Sequence, residues 1–271
     1  MREIGVNELK LIQLEILDVV AKFCEERGIN YWLNAGTLLG AVRHKGYIPW
    51  DDDIDLGMLR PDYDRFISEF DGRGGGCYEI HSLDNDPQFM MPYGKVFDTS
   101  TLLYEPDEHG IKMAVNIDIF VCDNAPDDDK AAEEMFSKRD YYRRQYYRRL
   151  IRVFGSARGN FLRRLCVYAY RAAKKIYLAF PSKHYYVRKM VENSRRYISE
   201  DTKSIGDFTG WHSITCSKEA FSSFIDLEFE GRKYKAPAGY DEWLKLLYGD
   251  YMQLPPVEER KSHHRFKAYK L

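Results

Sequence analysis

The sequence predicts an α+β fold on three observations. A long amphipathic stretch opens the chain, short strand-like apolar runs recur between residues 31 and 121, and from Asp127 the pattern turns helical. With 271 residues, 44% of them hydrophobic, the chain can bury a sizeable core, and its 31% charged share is that of neither a disordered nor a fibrous protein. Lys and Arg number 41 against 42 Asp and Glu, so a net charge of −1 excludes a chain held to nucleic acid by its overall charge, and no nucleic-acid partner is expected. Cys24, Cys77, Cys122, Cys166 and Cys216 are scattered singly, without the CxxC pairs of a zinc knuckle, which fits a reduced, cytoplasmic compartment. No apolar run has membrane-spanning length, so the expectation is a soluble or peripheral protein.

Residues 8–26 carry Leu9, Ile12, Ile16, Val19, Val20 and Phe23 at helical spacing, with Asn7 as the expected N-cap and Gly28 just past the end. A short strand, Tyr31 to Leu33, runs through Ala35-Gly36-Thr37 into a short helix marked by Leu38, Leu39, Ala41 and Val42. After a polar loop, the segment Asp53-Ile54-Asp55-Leu56-Gly57-Met58 alternates acidic and apolar residues like a strand, and Pro61 starts a helix reaching Phe70. Beyond the glycine-rich turn Gly72 to Gly76, strands are expected at Cys77 to Ser82, Pro92 to Phe97, Thr101 to Tyr104 and Met113 to Val121. The acidic lead Asp127-Asp128-Asp129 then opens a helical stretch that continues with interruptions to about Ser199. The tail predicts a hairpin around Glu230-Gly231, a helix from Tyr240 to Tyr248 and an extended exit at Pro255-Pro256.

Three local features suggest chemistry. In a strand, residues i and i+2 project to one face, so Asp53 and Asp55 offer two carboxylates to one hard cation while Ile54 points into a core. By itself such a pair is more often a solvated loop. Asp118 interrupts the apolar run Val115 to Val121, where a carboxylate is costly unless it is paired, bound to metal or placed at a sheet edge. Gly36-Thr37, at the start of a helix, is where free backbone N–H groups can meet an anion.

The block Tyr31 to His44 with Ile48-Pro49-Trp50-Asp51-Asp52-Asp53-Ile54-Asp55 resembles the signature of the LicD family of bacterial phosphocholine transferases, related to the fukutin-related proteins. The resemblance continues through Met58 to Phe66, Asn116 to Phe120, Phe229-Glu230-Gly231, Pro237, Tyr248 to Tyr251 and Leu254-Pro255-Pro256. It implies a nucleotidyltransferase-like small mixed sheet flanked by helices, with an added helical region. Residues 1–125 would form the catalytic core, 126–200 the helical region, and 201–271 a segment folding back on the core. It also implies that Asp53, Asp55 and Asp118 are the catalytic, metal-holding acids for Mg²⁺ or Mn²⁺. Asp118 would serve as ligand or as general base. The implied donor-binding residues are Gly36, Thr37, Arg43, Trp50 and Lys95, and the implied reaction moves phosphocholine from CDP-choline to a teichoic-acid-type or lipopolysaccharide-type glycan. Asp51 and Asp52 belong to the block without an assigned role. A glycosyltransferase using a sugar-nucleotide donor, and a non-enzymatic module binding membrane or nucleic acid, remain alternatives.

Two aromatic features bear on ligands. A quaternary ammonium is held by ring faces, and Tyr47, Trp50, Tyr93 and Trp211 are candidates for such a cage. Residues 138–175 are dense in Arg, Lys and Tyr with Asp140 their one acid, which suggests contact with an anionic inner-membrane face or a lipid-linked acceptor. A solvated helical face is the plain alternative.

Overall fold

A computed structural model describes residues 1–72, 76–105, 111–150, 160–261 and 266–271, with only the backbone considered at 105, 111 and 112. The chain enters through β1 (Arg2–Ile4) and α1 (Val6–Arg27). Gly5, not Asn7, is the N-cap of α1, because the helix begins two residues earlier than its apolar spacing suggests. Gly28 ends it in the left-handed region at φ +60°, with its N–H donating to a carbonyl of the last turn. Next come β2 (Trp32–Leu33), α2 (Ala35–His44), β3 (Asp55–Leu59) and α3 (Arg60–Glu69), the last with Pro61 in its first turn. β4 (Tyr78–His81), β5 (Gly94–Glu105) and β6 (Ile111–Ala125) follow. The two strands expected at Pro92–Phe97 and Thr101–Tyr104 are one continuous β5, whose register against β6 shifts between Asp98 and Leu103. Of the glycine-rich turn, Arg73, Gly74 and Gly75 lie outside the described residues.

The helical region comprises α4 (Asp129–Arg149), capped by the Asp128 carboxylate, then α5 (Phe161–Tyr177) and α6 (Lys183–Ser194). Two short strands, β7 (Ser204–Gly206) and β8 (Thr215–Ser217), precede the hairpin of β9 (Phe224–Phe229) and β10 (Arg232–Pro237). Its turn residues Glu230 and Gly231 both have positive φ. The chain ends with α7 (Tyr240–Tyr248) and β11 (Lys267–Lys270).

The main sheet runs β1-β11-β5-β6-β3-β2, with β4 on β5 and β7 on β6. β3 and β6 pair in parallel, and the neighbouring pairs are antiparallel. The mixed sheet has a chemical consequence, because the parallel register sets Asp55 opposite Asp118 and the β5–β6 register sets Lys95 opposite Asp118. Three charged side chains therefore stand in one row across three strands.

One core binds α1, the sheet and the C-terminal elements, with Ile16, Phe23, Trp32, Ile54, Ile119, Phe229 and Trp243 all but sealed from solvent. Each such side chain contributes about 1.5–3 kcal/mol of hydrophobic stabilisation. Phe136 of α4 stacks on Phe208, and Tyr146 of α4 packs with Tyr186 and Met190 of α6. α5 buries no residue. None of the helices among the described residues is long and apolar enough to cross a membrane.

Candidate active site

The acids are held by the elements beneath them. Ile54 is fully buried, and its carbonyl accepts from the Asp118 N–H, so the chain on either side of Ile54 is fixed against β6. Gln13 of α1, itself buried, donates to the Asp52 and Asn116 carbonyls at 3.1 and 3.4 Å. One amide thereby ties the acidic loop to β6. The Asp55 N–H donates to Thr37 Oγ1 at 2.8 Å, and the Asn34 N–H donates to the Asp55 carbonyl at 2.9 Å, which locks the start of α2 to the start of β3. Thr37 is buried, and its hydroxyl is engaged with the Asp55 backbone.

At the N-terminus of α2 the first intrahelical bond is Leu38 N–H to Asn34 O, so the N–H groups at positions 35–37 are those a helix leaves for other acceptors. Ala35 turns the chain into the helix at φ +43°, a region alanine rarely enters. The Asn34 side-chain carbonyl does not cap the helix. It accepts instead from Nε1 of buried Trp243 on α7, at 3.0 Å. Gly36 lies against the Asp51 carboxylate, where a Cβ would stand 2.7 Å from Oδ2, so no larger residue fits without moving that acid.

Three cavities meet along this acidic loop. The first, about 350 Å³, is bounded by Asp53, Asp55, Lys95, Asn116 and Asp118 and by the rings of Tyr93, Phe120, Tyr147 and Trp211. The second, about 450 Å³, shares Asp53, Asp55, Phe120 and Trp211 with it and reaches Gly36, Asp51, His212 and Tyr248. The third, about 870 Å³, lies beyond Gly36 and Asp51 and is walled by Arg43, Trp50, Tyr251 and Arg260. Arg43 donates to the Tyr251 carbonyl at 2.9 Å, and burial together with nearby Arg260 lowers its pKa from the ordinary guanidinium value. Two guanidiniums facing one cleft form its cationic end.

The electrostatics favour a further cation. Lys95 forms an ion pair with Asp118 and donates to Asn116 Oδ1 at 3.0 Å. Burial, then the neighbouring Asp53, push the Asp51 carboxyl up to about 8. Asp55 is held well above the usual carboxylate range by burial, then by Asp53, Asp118 and Asp51. Carboxyls strained upward by their own neighbours are a donor set that a divalent ion would discharge, and Mg²⁺ needs only one or two of them alongside water and phosphate oxygens. Among the described residues no three His, Cys, Asp or Glu side chains converge as a ready-made metal cage. Asp53 and Asp55 line the cavity side by side, with Asp118 paired to Lys95 across it.

The structure gathers Asp53, Asp55, Asp118 and Lys95 around one cavity and Gly36, Arg43 and Trp50 around the adjoining cleft. It separates the four aromatic candidates. Tyr93 and Trp211 wall the acid cavity. Tyr47 packs on Phe229 in the core and donates to Gln13 Oε1 at 3.2 Å, so it supports the loop and is no cage wall. Trp50 meets His44 edge to face in the cationic cleft. Tyr93 lies 4.5 Å from Phe120, and Trp211 stacks on Tyr147 at 5.9 Å.

Residues 138–175 also divide. Arg139 is sealed from solvent and donates to the His212 carbonyl at 2.5 Å and to Ser213 Oγ at 2.7 Å, while Arg143 donates to the Gly210 carbonyl and lies 4.4 Å over the Trp211 ring. Arg149 donates to the Pro181 carbonyl at 2.7 Å. These three cations are used within the fold, so neither the membrane reading nor the solvated-face reading of residues 138–175 applies to them. Arg152, Phe154 and Arg158 lie outside the described residues. Arg139 and Arg143 together hold the segment 207–213 that roofs the acids, a role sequence spacing does not reveal because the partners lie about 70 residues away.

Residues 28–102 match the family described as LicD/FKTN/FKRP, nucleotidyltransferase domain. Over 278 aligned residues, covering 99% of both chains, the sequence is 35% identical to the lipopolysaccharide cholinephosphotransferase LicD of Haemophilus influenzae. A 38-residue stretch, 14% of this chain and 8% of the other, is 55% identical to the human ribitol 5-phosphate transferase FKRP. A 49-residue stretch, 18% of this chain and 11% of the other, is 43% identical to the mouse ribitol-5-phosphate transferase FKTN.

Proposed function

The chain belongs to the LicD family and is a phosphotransferase, and on that premise we propose that it moves phosphocholine from CDP-choline to a sugar hydroxyl of a cell-surface glycan precursor, of lipopolysaccharide or teichoic-acid type. The observation that carries the reading is the meeting, at Asp53 and Asp55, of the α2 N-terminus with a cavity walled by aromatic rings. That combination suits a diphosphate with a quaternary ammonium at one end.

The donor's phosphates accept from the N–H groups at the start of α2, beside Gly36, with the cytidine end toward the cleft of Arg43 and Arg260. Arg43 and Trp50 thereby act on the nucleotide. The trimethylammonium group lies among Tyr93, Phe120, Tyr147 and Trp211, whose faces attract a cation that cannot donate hydrogen bonds. Asp53 and Asp55 would hold Mg²⁺ or Mn²⁺, which neutralises charge on the diphosphate when bound. Asp118, oriented by Lys95, takes the proton of the acceptor hydroxyl as that oxygen bonds to the phosphorus bearing choline. The bond from that phosphorus to the bridging oxygen breaks, and CMP leaves. Lys95 offsets the negative charge gathering beside Asp118.

The test is nucleotide release from CDP-choline, CDP-ribitol, CDP-glycerol and UDP-sugars, with a glycan acceptor and Mg²⁺. Acceptor-dependent CMP release from CDP-choline, absent in Asp53→Asn, is expected. Release from CDP-ribitol instead would keep the site and replace the headgroup, a reading that the short likeness to FKRP and FKTN supports. Release from UDP-sugars would make the protein a glycosyltransferase.

A further inference from the structure

α5 is an amphipathic helix turned the wrong way for a protein in water. Phe161, Leu162, Leu165, Ala169 and Ile176 recur at helical spacing on one face, and that face points away from the fold, with Phe161 78% and Ile176 77% exposed. Of the half-buried residues, Val167, Arg171 and Lys174 lie on the opposite side, whereas Tyr168 and Ala172 lie at the edge of the stripe next to Phe161. Phe180, 89% exposed, extends the apolar ridge past the helix end. Such a surface on a monomer marks a contact with something apolar.

Charge identifies the occupant. Arg164 and Lys175 border the apolar stripe on one side, Arg163, Arg171 and Lys174 continue the cationic face away from it, and no acidic residue occurs from Asn160 to Val191. An apolar stripe with cations along one margin matches the acyl region and the phosphates of an anionic bilayer, the arrangement of a helix lying in the interface plane. The neighbouring cavity gives the placement a purpose. It has a volume of about 960 Å³, and Lys175 of α5, with Leu178 and Lys183 just beyond, forms part of its wall. Inside, Met91 and Met113 are walls it shares with the cavity of Asp53 and Asp118.

We propose that α5 lies in the interface of an anionic bilayer, apolar stripe inward, and sets the mouth of this cavity at the membrane surface, where a lipid-borne acceptor would reach the site. The docking stands independently of the donor; only the acceptor's route rests on the transfer reading.

Flotation of the full-length protein tests the docking, using vesicles of phosphatidylglycerol mixed with phosphatidylcholine and vesicles of phosphatidylcholine alone. Wild type should float with the anionic vesicles and be released by salt. Leu165→Glu with Ile176→Glu should abolish flotation, and Arg163→Gln with Arg164→Gln should weaken it about thirtyfold, since each cation near a charged surface adds to binding. These side chains are exposed, so the fold, monitored by circular dichroism, should be unchanged. Wild type left in the soluble fraction, or equal binding to neutral vesicles, would overturn the proposal. So would a sedimenting dimer that Leu165→Glu dissolves, because the stripe would then cover a second copy. For the acceptor's route, Leu165→Glu should slow transfer to a vesicle-borne glycan and spare transfer to the detached glycan. Equal slowing of both would remove that role and leave the donor chemistry untouched.

Discussion

Lys95 sits where the charge of the site is decided. It is buried, paired with Asp118 and bonded to Asn116, and Asp118 stands opposite Asp55 in the sheet. Lys95→Met removes the cation from a row of carboxylates and should lower kcat about 100-fold in acceptor-dependent CMP release, with a small effect on donor KM. An unchanged kcat would separate Lys95 from the reaction. A second buried cation has a structural role. Arg60 donates to both carboxylate oxygens of Asp123 at 2.7 and 2.8 Å, joining the start of α3 to the end of β6. Asp123→Ala leaves the buried guanidinium with the half-exposed Asp64 as its ion partner and should cost about 3 kcal/mol in urea unfolding, with activity per folded molecule retained. At this scale the sequence is informative where chemistry is local. Asp118 is legible from its placement in an apolar run; Asp53 and Asp55 meet at the cavity, but Asp53 lies in the loop before β3, so the strand alternation that suggests the pair does not place it. Gln13 and Arg139 are not legible, because they act through carbonyls 39 and 73 residues away.

Elements with a strong internal pattern are read correctly, and those that exist only by pairing are missed. α1, α3 and α7 follow from apolar spacing, Pro61 and Gly28. β11 does not, since Lys267-Ala268-Tyr269-Lys270 carries no strand pattern and becomes one by filling the gap between β1 and β5. β5 reads as two strands because polar Asp98-Thr99-Ser100 interrupts it. In the structure these residues lie at the register shift, where Asp98 accepts from the Ser100 N–H and hydroxyl. The contact of α4 with the 207–213 segment supplies the roof of the site. Arg139→Met should destabilise the protein by about 2–4 kcal/mol, through the His212 and Asp207 carbonyls left without a donor. It should also raise hydrogen exchange at Gly210 to Ser213 well above that of the β5–β6 amides. Exchange rising equally everywhere would mean that Arg139 supports the whole fold and not this segment.

Across the whole molecule, a net charge of −1 conceals a division between an acid cluster at the site and a cationic flank on α5. The sequence reveals both clusters. It cannot show that part of the basic segment turns inward, because that depends on where α4 meets the segment 207–213. The acid cluster stores repulsion, so in chelator Asp53→Asn should melt at a higher temperature than wild type. Mg²⁺ at one hundred times its Kd should stabilise the wild type by about 2.7 kcal/mol, raising its melting temperature, and leave the variant unmoved. A wild type indifferent to Mg²⁺ and to Mn²⁺, alone or with CDP-choline, would remove the metal from the account. The central claim is that phosphocholine is transferred at Asp53, Asp55 and Asp118. Its most direct test follows choline-labelled CDP-choline into a lipopolysaccharide-type acceptor for wild type, Asp53→Asn and Asp118→Asn, all verified as folded. Label should enter the glycan as a phosphodiester with wild type and Mg²⁺ and be lost with chelator or with either variant. Label entering at wild-type rate in both variants would contradict the assignment of the site.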